Sequence, residues 1–142
     1  MPDAMNQTLV ICKPDAVERG LTGEIISRIE RKGLRIVAAE MRIIDKETAG
    51  EHYSEHKDKP FYSELVTFFT RSQALIMIVE GPDHETCKVV RTLMGATNPK
   101  DAAPGTIRGD LAIITTENLI HGSDSEASAE REIKLFFPHL AS

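Results

Sequence analysis

The sequence predicts an α+β fold, a four-stranded antiparallel sheet covered by helices, and three observations predict it. Short runs rich in β-branched residues alternate with longer segments of helical periodicity. One run, Ala74–Val79, is apolar at every position, as a strand covered on both faces must be. The 142 residues, 41% of them hydrophobic, suffice for one compact unit, residues 1–142, with a sizeable core.

The elements follow in order. Leu9-Val10-Ile11 is a strand that stops at Lys13-Pro14-Asp15, where Pro and Asp mark a turn. Gly20–Lys32 is a helix, with Ile25, Ile26 and Ile29 on one side and Gly33 as its stop. Arg35–Ile44 is a second strand. Asp45 opens a polar helix through His56, Pro60 breaks it, and Phe61–Thr70 is another helix. Ala74–Val79 is the buried central strand, ended by Gly81-Pro82-Asp83. His84–Met94 is helical, with Val89, Val90, Leu93 and Met94 as its apolar stripe. Periodicity then vanishes from Gly95 to Gly109, a long loop near 95–110 of the kind that small domains keep for function. Leu111–Thr115 is the last strand. Ser123-Asp124-Ser125-Glu126 has the form of a capping box with Ser123 at the cap, opening a helix that Pro138 limits. Met1–Met5 is a loose start. The order β-α-β-α-α-β-α-β-α fits a ferredoxin-like βαββαβ core with added helices, and a fully parallel doubly wound sheet is the rival.

Composition narrows the function classes. Lys and Arg total 17 against 22 Asp and Glu, a net charge of −5, which opposes a general nucleic-acid partner. No run approaches the ~18 apolar residues of a membrane span, and the N-terminus lacks the apolar stretch of a secretory signal. Cys12 and Cys87 are far apart and imply neither a disulfide framework nor a zinc site, and Cys12 reads as a small buried hydrophobe. A reducing, cytoplasmic setting is expected.

No G-x-x-x-x-G-K-[ST] and no G-x-G-x-x-G occurs, so any nucleotide chemistry here runs without those loops. The sharpest local feature is Asn118-Leu119-Ile120-His121-Gly122-Ser123-Asp124. An imidazole, with a reference pKa of about 6.5, is largely an uncharged nucleophile at neutral pH, whereas a hydroxyl needs a neighbouring base. Gly122 lets the backbone turn tightly beside it. Spacing alone equally allows a histidine that caps the next helix or fills a core edge. A second motif, His52-Tyr53-Ser54-Glu55-His56, has the H-x-x-E-H form of the inverted zinc proteases, with both histidines on one helix face. Such proteases need a larger chain and a third ligand, which leaves His52 and His56 on an ordinary polar helix.

Asn-x-x-His-Gly-Ser-Asp at 118–124 resembles the signature of the nucleoside diphosphate kinases. Lys13-Pro14-Asp15-Ala16, Arg19-Gly20-Leu21, Gly23-Glu24-Ile25, His52-Tyr53, Pro60-Phe61, Gly95-Ala96-Thr97-Asn98-Pro99 and Pro104–Asp110 resemble family segments in family order, from about Thr8 to Phe137. The resemblance implies a ping-pong reaction in which a nucleoside triphosphate, mainly ATP, phosphorylates His121 and a nucleoside diphosphate then collects the group. It implies that Lys13, Arg91 and Arg108 contact the phosphates with Thr97, and that Tyr53 and Lys13 lie beside the transferred group. Asn118 would contact the sugar hydroxyls, and Phe61 would stack on the base with help from Leu65. Glu132, rather than Asp124 or Glu126, would hold the second ring nitrogen of His121, supported by Ser123. Mg²⁺ is expected on the nucleotide phosphates, with no metal ligand assigned to a protein side chain. A homo-oligomer is implied, a hexamer in preference to a tetramer. Tyr62 departs from the second Phe of many members, and the chain ends soon after Phe136-Phe137-Pro138. Without the resemblance, a small βαββαβ domain is equally suited to a non-catalytic binding or assembly role.

Overall fold

A computed structural model describes residues 6–140 of the chain; Met1–Met5 lie outside the described residues. Strand β1, Gln7–Cys12, is buried from Thr8 onward and runs between two partners. It pairs antiparallel with β3, Gln73–Glu80, setting Val10 opposite Met77, and with β4, Ile120–Gly122, setting Ile11 opposite His121. Strand β2, Arg35–Ile43, pairs antiparallel with the far side of β3 across a bulge between Ile36 and Ala38. The order β2-β3-β1-β4 is the ferredoxin-like arrangement, and its antiparallel ladders exclude the doubly wound rival.

Both faces of the sheet are covered, which explains the unbroken apolar run in β3. Leu75, Met77 and Val79 face one core with Val10 and Cys12, packed beneath α2, Thr22–Arg31, and α5, Thr86–Met94. Ala74, Ile76 and Ile78 face a second core with Leu9 and Ile11. That side is closed by α3, Lys46–His52, α4, Tyr62–Phe69, and α7, Glu126–Phe136. Helices α3 and α4 are the insertion between β2 and β3. Cys12 is a buried free thiol within the first core.

Several sequence expectations need correction. Lys13-Pro14-Asp15 is more than a turn: it opens a short helix α1, Pro14–Glu18, because Pro at the first helical position gives up no needed donor and Asp15 suits the helix start. The helix expected over Gly20–Lys32 begins at Thr22, and that expected through His56 ends at His52, followed by a 3₁₀ turn at Ser54–His56. Part of the 95–110 loop is structured, as a 3₁₀ turn at Pro99–Asp101 and a helix α6, Ile107–Leu111, capped by the Thr106 hydroxyl. The last strand is not Leu111–Thr115. Ile113 and Ile114 are exposed there, while Leu119 and Ile120 are fully buried, so burial selects Ile120–Gly122 as β4. Ser125, not Ser123, caps α7, accepting from the Ser128 amide at 3.1 Å. Gly122 lies in extended β4, where a side chain would meet Met94 Sδ at 2.5 Å; close packing of α5, not a turn, favours glycine there.

Candidate active site

The site is assembled at the C-terminal end of β1 around a strained turn. Leu119 has φ 74°, and the Ile120 amide donates to the Asn118 carbonyl at 2.9 Å, which closes a three-residue γ-turn. A branched residue in this region costs about 1–3 kcal/mol and persists only where its surroundings hold it. Here they do. Asp15 Oδ2 accepts from the Leu119 amide at 3.0 Å, and the Lys13 amide donates to the Leu119 carbonyl at 2.9 Å. Arg108, on α6, donates from Nε to the Asn118 carbonyl at 3.2 Å and from one terminal nitrogen to the Ile120 carbonyl at 2.6 Å. Its other terminal nitrogen reaches the Gly95 carbonyl at 3.1 Å.

The cations crowd together. Lys13 Nζ donates to Asn118 Oδ1 at 2.8 Å, and the Asn118 amide nitrogen donates to the Thr97 carbonyl at 2.9 Å. Exposed Arg91, on α5, donates to the Gly122 carbonyl at 3.2 Å. These groups bond neutral oxygens rather than carboxylates, which leaves their positive charge for a ligand. Burial, and then the charge of Arg108, lowers the Lys13 ammonium to about 8. Burial and the neighbouring Arg91 lower the Arg108 guanidinium to about 10. Lys13 is partly buried beside these groups.

His121 stands in β4 with its ring 22% exposed. Its Nε2 meets Glu132 Oε1 at 2.8 Å, and the same oxygen accepts from the buried Ser123 hydroxyl at 2.7 Å. Glu132, not Asp124 or Glu126, therefore holds the ring. Burial would raise the Glu132 carboxyl, but the hydrogen bond and attraction of His121, with the Ser123 hydroxyl, outweigh it and hold it below the usual range. With Nε2 engaged, Nδ1 is the ring nitrogen left for chemistry.

Lys13, Tyr53, Phe61, Leu65, Arg91, Thr97, Arg108, Asn118, His121 and Glu132 all line one cavity of about 440 Å³. Ser123 alone of the expected set does not, and it reaches the site through Glu132. Phe61 is 42% exposed at the mouth, and burial, followed by the charge of Glu132, pushes the Tyr53 hydroxyl well up. A larger groove of about 610 Å³ runs along α5 past His84 and Cys87, but it shares only Arg91 and Asp124 with this cavity and lacks the histidine.

Sequence reasoning missed several members. Asp15 stands in the segment Lys13-Pro14-Asp15-Ala16 with no role assigned to it, and the γ-turn carries no motif of its own. Phe68 and Thr116 line the cavity without having been singled out. His52, placed on a polar helix from its motif, is 6% exposed and packs edge-on against His121 with ring centroids 4.7 Å apart. Donor atoms of His52, His121 and Glu132 lie within 4.8 Å of one another, a set that could hold a metal ion. His121 Nε2 and Glu132 Oε1 are hydrogen-bonded to each other at 2.8 Å, and His56, the other half of the zinc-like motif, is not in the cluster.

The family model described as nucleoside diphosphate kinase matches residues 6–141. The nucleoside diphosphate kinase of Thermobifida fusca is 58% identical over 137 residues, covering 96% of this chain and 100% of that protein. The Mycobacterium leprae enzyme is 59% identical over 135 residues, covering 94% and 98%. Among solved structures, the Halobacterium salinarum nucleoside diphosphate kinase in complex with CDP superposes with a TM-score of 0.88 at 51% identity, over 92% of this chain and 86% of that one. A Babesia bovis family member gives 0.91 at 42% identity, over 96% and 90%. With these likenesses, and a cation-lined cavity holding a carboxylate-anchored histidine, the chain belongs to the nucleoside diphosphate kinase family and is a phosphotransferase acting on nucleotides.

Proposed function

We propose that Nδ1 of His121 carries the phosphoryl group in this nucleoside diphosphate kinase, and that residues 1–142 work as one catalytic domain. The observation that carries the reading is the 2.8 Å bond from His121 Nε2 to Glu132 at the wall of the cationic cavity. It fixes the tautomer, so the Nδ1 lone pair is free to attack the γ-phosphorus of a nucleoside triphosphate. The N–P bond forms as the bond from phosphorus to the β–γ bridging oxygen breaks, and the nucleoside diphosphate leaves with that electron pair. A second diphosphate reverses the step with its terminal oxygen as nucleophile. Such a transfer needs positioning and charge stabilisation more than covalent help.

Lys13, Arg91 and Arg108 meet the phosphate oxygens, with Thr97 donating a further hydrogen bond. Lys13 and the Tyr53 hydroxyl flank the transferred group, and Asn118 meets the sugar hydroxyls. Phe61 and Leu65 take the base, and a phenyl face accepts every base. The CDP bound to the Halobacterium salinarum relative supports a nucleotide in this cavity. Mg²⁺ fits as an ion carried on the phosphates: the buried carboxylate of the cavity, Glu132, is already engaged by His121 and Ser123. When bound it would neutralise charge on the phosphate oxygens, and the protein side chains hold the rest. ATP is the main donor and the setting is cytoplasmic; among the described residues no helix is long and apolar enough to cross a membrane. Neither a membrane nor a nucleic acid is a partner. A homo-oligomer is supported by the open edge of β2, where Val37, Met41 and Ile43 are exposed, and the preference for a hexamer over a tetramer rests on the family resemblance alone.

The test is incubation with γ-labelled ATP. Acid-labile, alkali-stable label is expected on the wild type and none on His121→Ala, which retains nucleotide binding. Label on the variant at wild-type level refutes the assignment.

A further inference from the structure

Of the motif His52-Tyr53-Ser54-Glu55-His56 the transfer chemistry uses only Tyr53, yet the first histidine also lies deep in the site. The His52 side chain is 3% exposed. Its ring stacks on Phe69 at 5.2 Å, meets Tyr53 and Phe136 edge-on, and stands at 85° to the ring of His121. Packing alone would be served by a phenylalanine. A histidine brings Nδ1, and that atom is buried without a hydrogen-bond partner. Buried nitrogens without partners are rare and call for an account.

The nearest acceptor supplies one. Nδ1 lies 3.9 Å from Glu132 Oε2. The other carboxylate oxygen, Oε1, already takes His121 and Ser123. Oε2 has only Arg131 at 3.7 Å, on a side chain 49% exposed and therefore screened by solvent. A lone pair on Nδ1 would face a carboxylate and be repelled, whereas an N–H there is attracted, so the field of Glu132 selects the Nδ1–H tautomer of His52. Burial, and then the charge of His121, lowers the His52 ring to about 3, so it is a neutral donor throughout the working range. A gap of 3.9 Å is about 1 Å beyond a hydrogen bond, and catalytic bonds of this kind tighten when the substrate closes the site.

We propose that His52 is a positioning residue: from its buried place against His121 it donates to Glu132 Oε2 and so keeps the other carboxylate oxygen on the nucleophilic histidine. This rests on the assignment of His121 as the phosphoryl carrier. The chain is then His52 to Glu132 to His121, with Ser123 as the second brace.

The test compares His52→Asn with His52→Leu, side chains of nearly the same shape, of which only Asn supplies an N–H near the Nδ1 position. Rates of labelling by γ-labelled ATP are measured at saturating and limiting nucleotide, and nitrogen NMR reads the tautomer of His121. Loss of a partner that orients a metal-bound histidine typically costs 10–100-fold, and the same scale is expected for a nucleophilic one. His52→Leu should lose about that in kcat with KM within twofold, and its His121 should show mixed tautomers. His52→Asn should recover most of the rate and the single tautomer. His52→Phe keeps the ring packing and replaces Leu in the comparison if that variant does not fold. Equal rates in the Asn and apolar variants, or an unchanged His121 tautomer in the apolar one, overturn the proposal. Failure of the underlying reading is separate: label would then persist on His121→Ala.

Discussion

The cavity has two walls built in different ways. On the cationic wall, Arg108 is 5% exposed and donates to three backbone carbonyls around the strained Leu119. Its charge faces the cavity, and its N–H groups also hold the turn that sets Asn118 and His121. On the aromatic wall, His52 lines the cavity and is held from behind by ring contacts with Phe69 and Phe136 of the second core. There the polar contribution comes through a single carboxylate. Position and charge are thus inseparable on the first wall and separable on the second. Within the cationic wall the same contrast divides Arg108 from Arg91, which is exposed and makes one bond, to the Gly122 carbonyl.

The largest expected effect tests that division. Arg108→Met should lower phosphoryl transfer by about 10²–10³-fold, as for loss of one preorganised donor. It should also lower stability by about 2–3 kcal/mol, because carbonyls of Asn118, Gly95 and Ile120 lose their donor where water is scarce. Arg91→Met should lower transfer comparably while leaving stability within about 0.5 kcal/mol. Denaturant titration beside steady-state kinetics reads both. Equal stability losses in the two variants would break the contrast.

Lys13 gives a smaller and reversible effect. Its ammonium is lowered from 10.5 to about 8. If Lys13 meets phosphate as proposed, the rate at limiting nucleotide should fall about tenfold per pH unit above about 8, as the free enzyme loses this cation from the cavity. The stability effect has the opposite sign. Between about 8 and 10.5 the unfolded chain holds a proton on Lys13 that the folded chain has released, so this residue makes stability rise with pH across that window. Below 8 the burial penalty is fully present, and Lys13→Met should melt higher than wild type at pH 7 while transferring poorly. A decline in rate beginning only near 10.5 would show that the crowding of Lys13 with Arg108 has no consequence.

The legible parts of the molecule are those where period and chemistry coincide. Ala74–Val79 could only be a strand covered twice, and β3 is that strand. Glu132 and Ser123 became legible through the signature around His121 and their order along the chain, since nothing local separates Glu132 from Asp124 or Glu126. What escaped was decided by tertiary burial. Leu111–Thr115 is richer in apolar residues than Leu119–Gly122, and only packing against β1 and α5 selects the second. His52 sits in a polar helix by its neighbours Glu51 and Glu55, yet the side facing the second core is the one that carries it. The γ-turn at Leu119 has no signal because its residue is not glycine; it is imposed by Asp15 and Arg108, remote in sequence.

Phe61 provides the smallest effect and probes the outer end of the aromatic wall. Unlike Phe69, which is fully buried, it is 42% exposed, beside the His56 ring at 5.6 Å and with Lys59 Nζ at 5.9 Å from its centroid. It belongs to no core cluster, so its exposed face is free for a base. Stacking on such a face contributes about 1–3 kcal/mol, and the lower end suits a ring open to solvent on one side. Phe61→Ala should thus raise KM roughly 5–10-fold with kcat unchanged, and by a similar factor for purine and pyrimidine nucleotides because every base has a π-face. The melting temperature should stay put, since little apolar surface leaves the core. A large fall in kcat would mean that Phe61 acts on the phosphate through Tyr53 and His56 rather than on the base, and the separation of packing from chemistry would then end at this ring rather than beyond it.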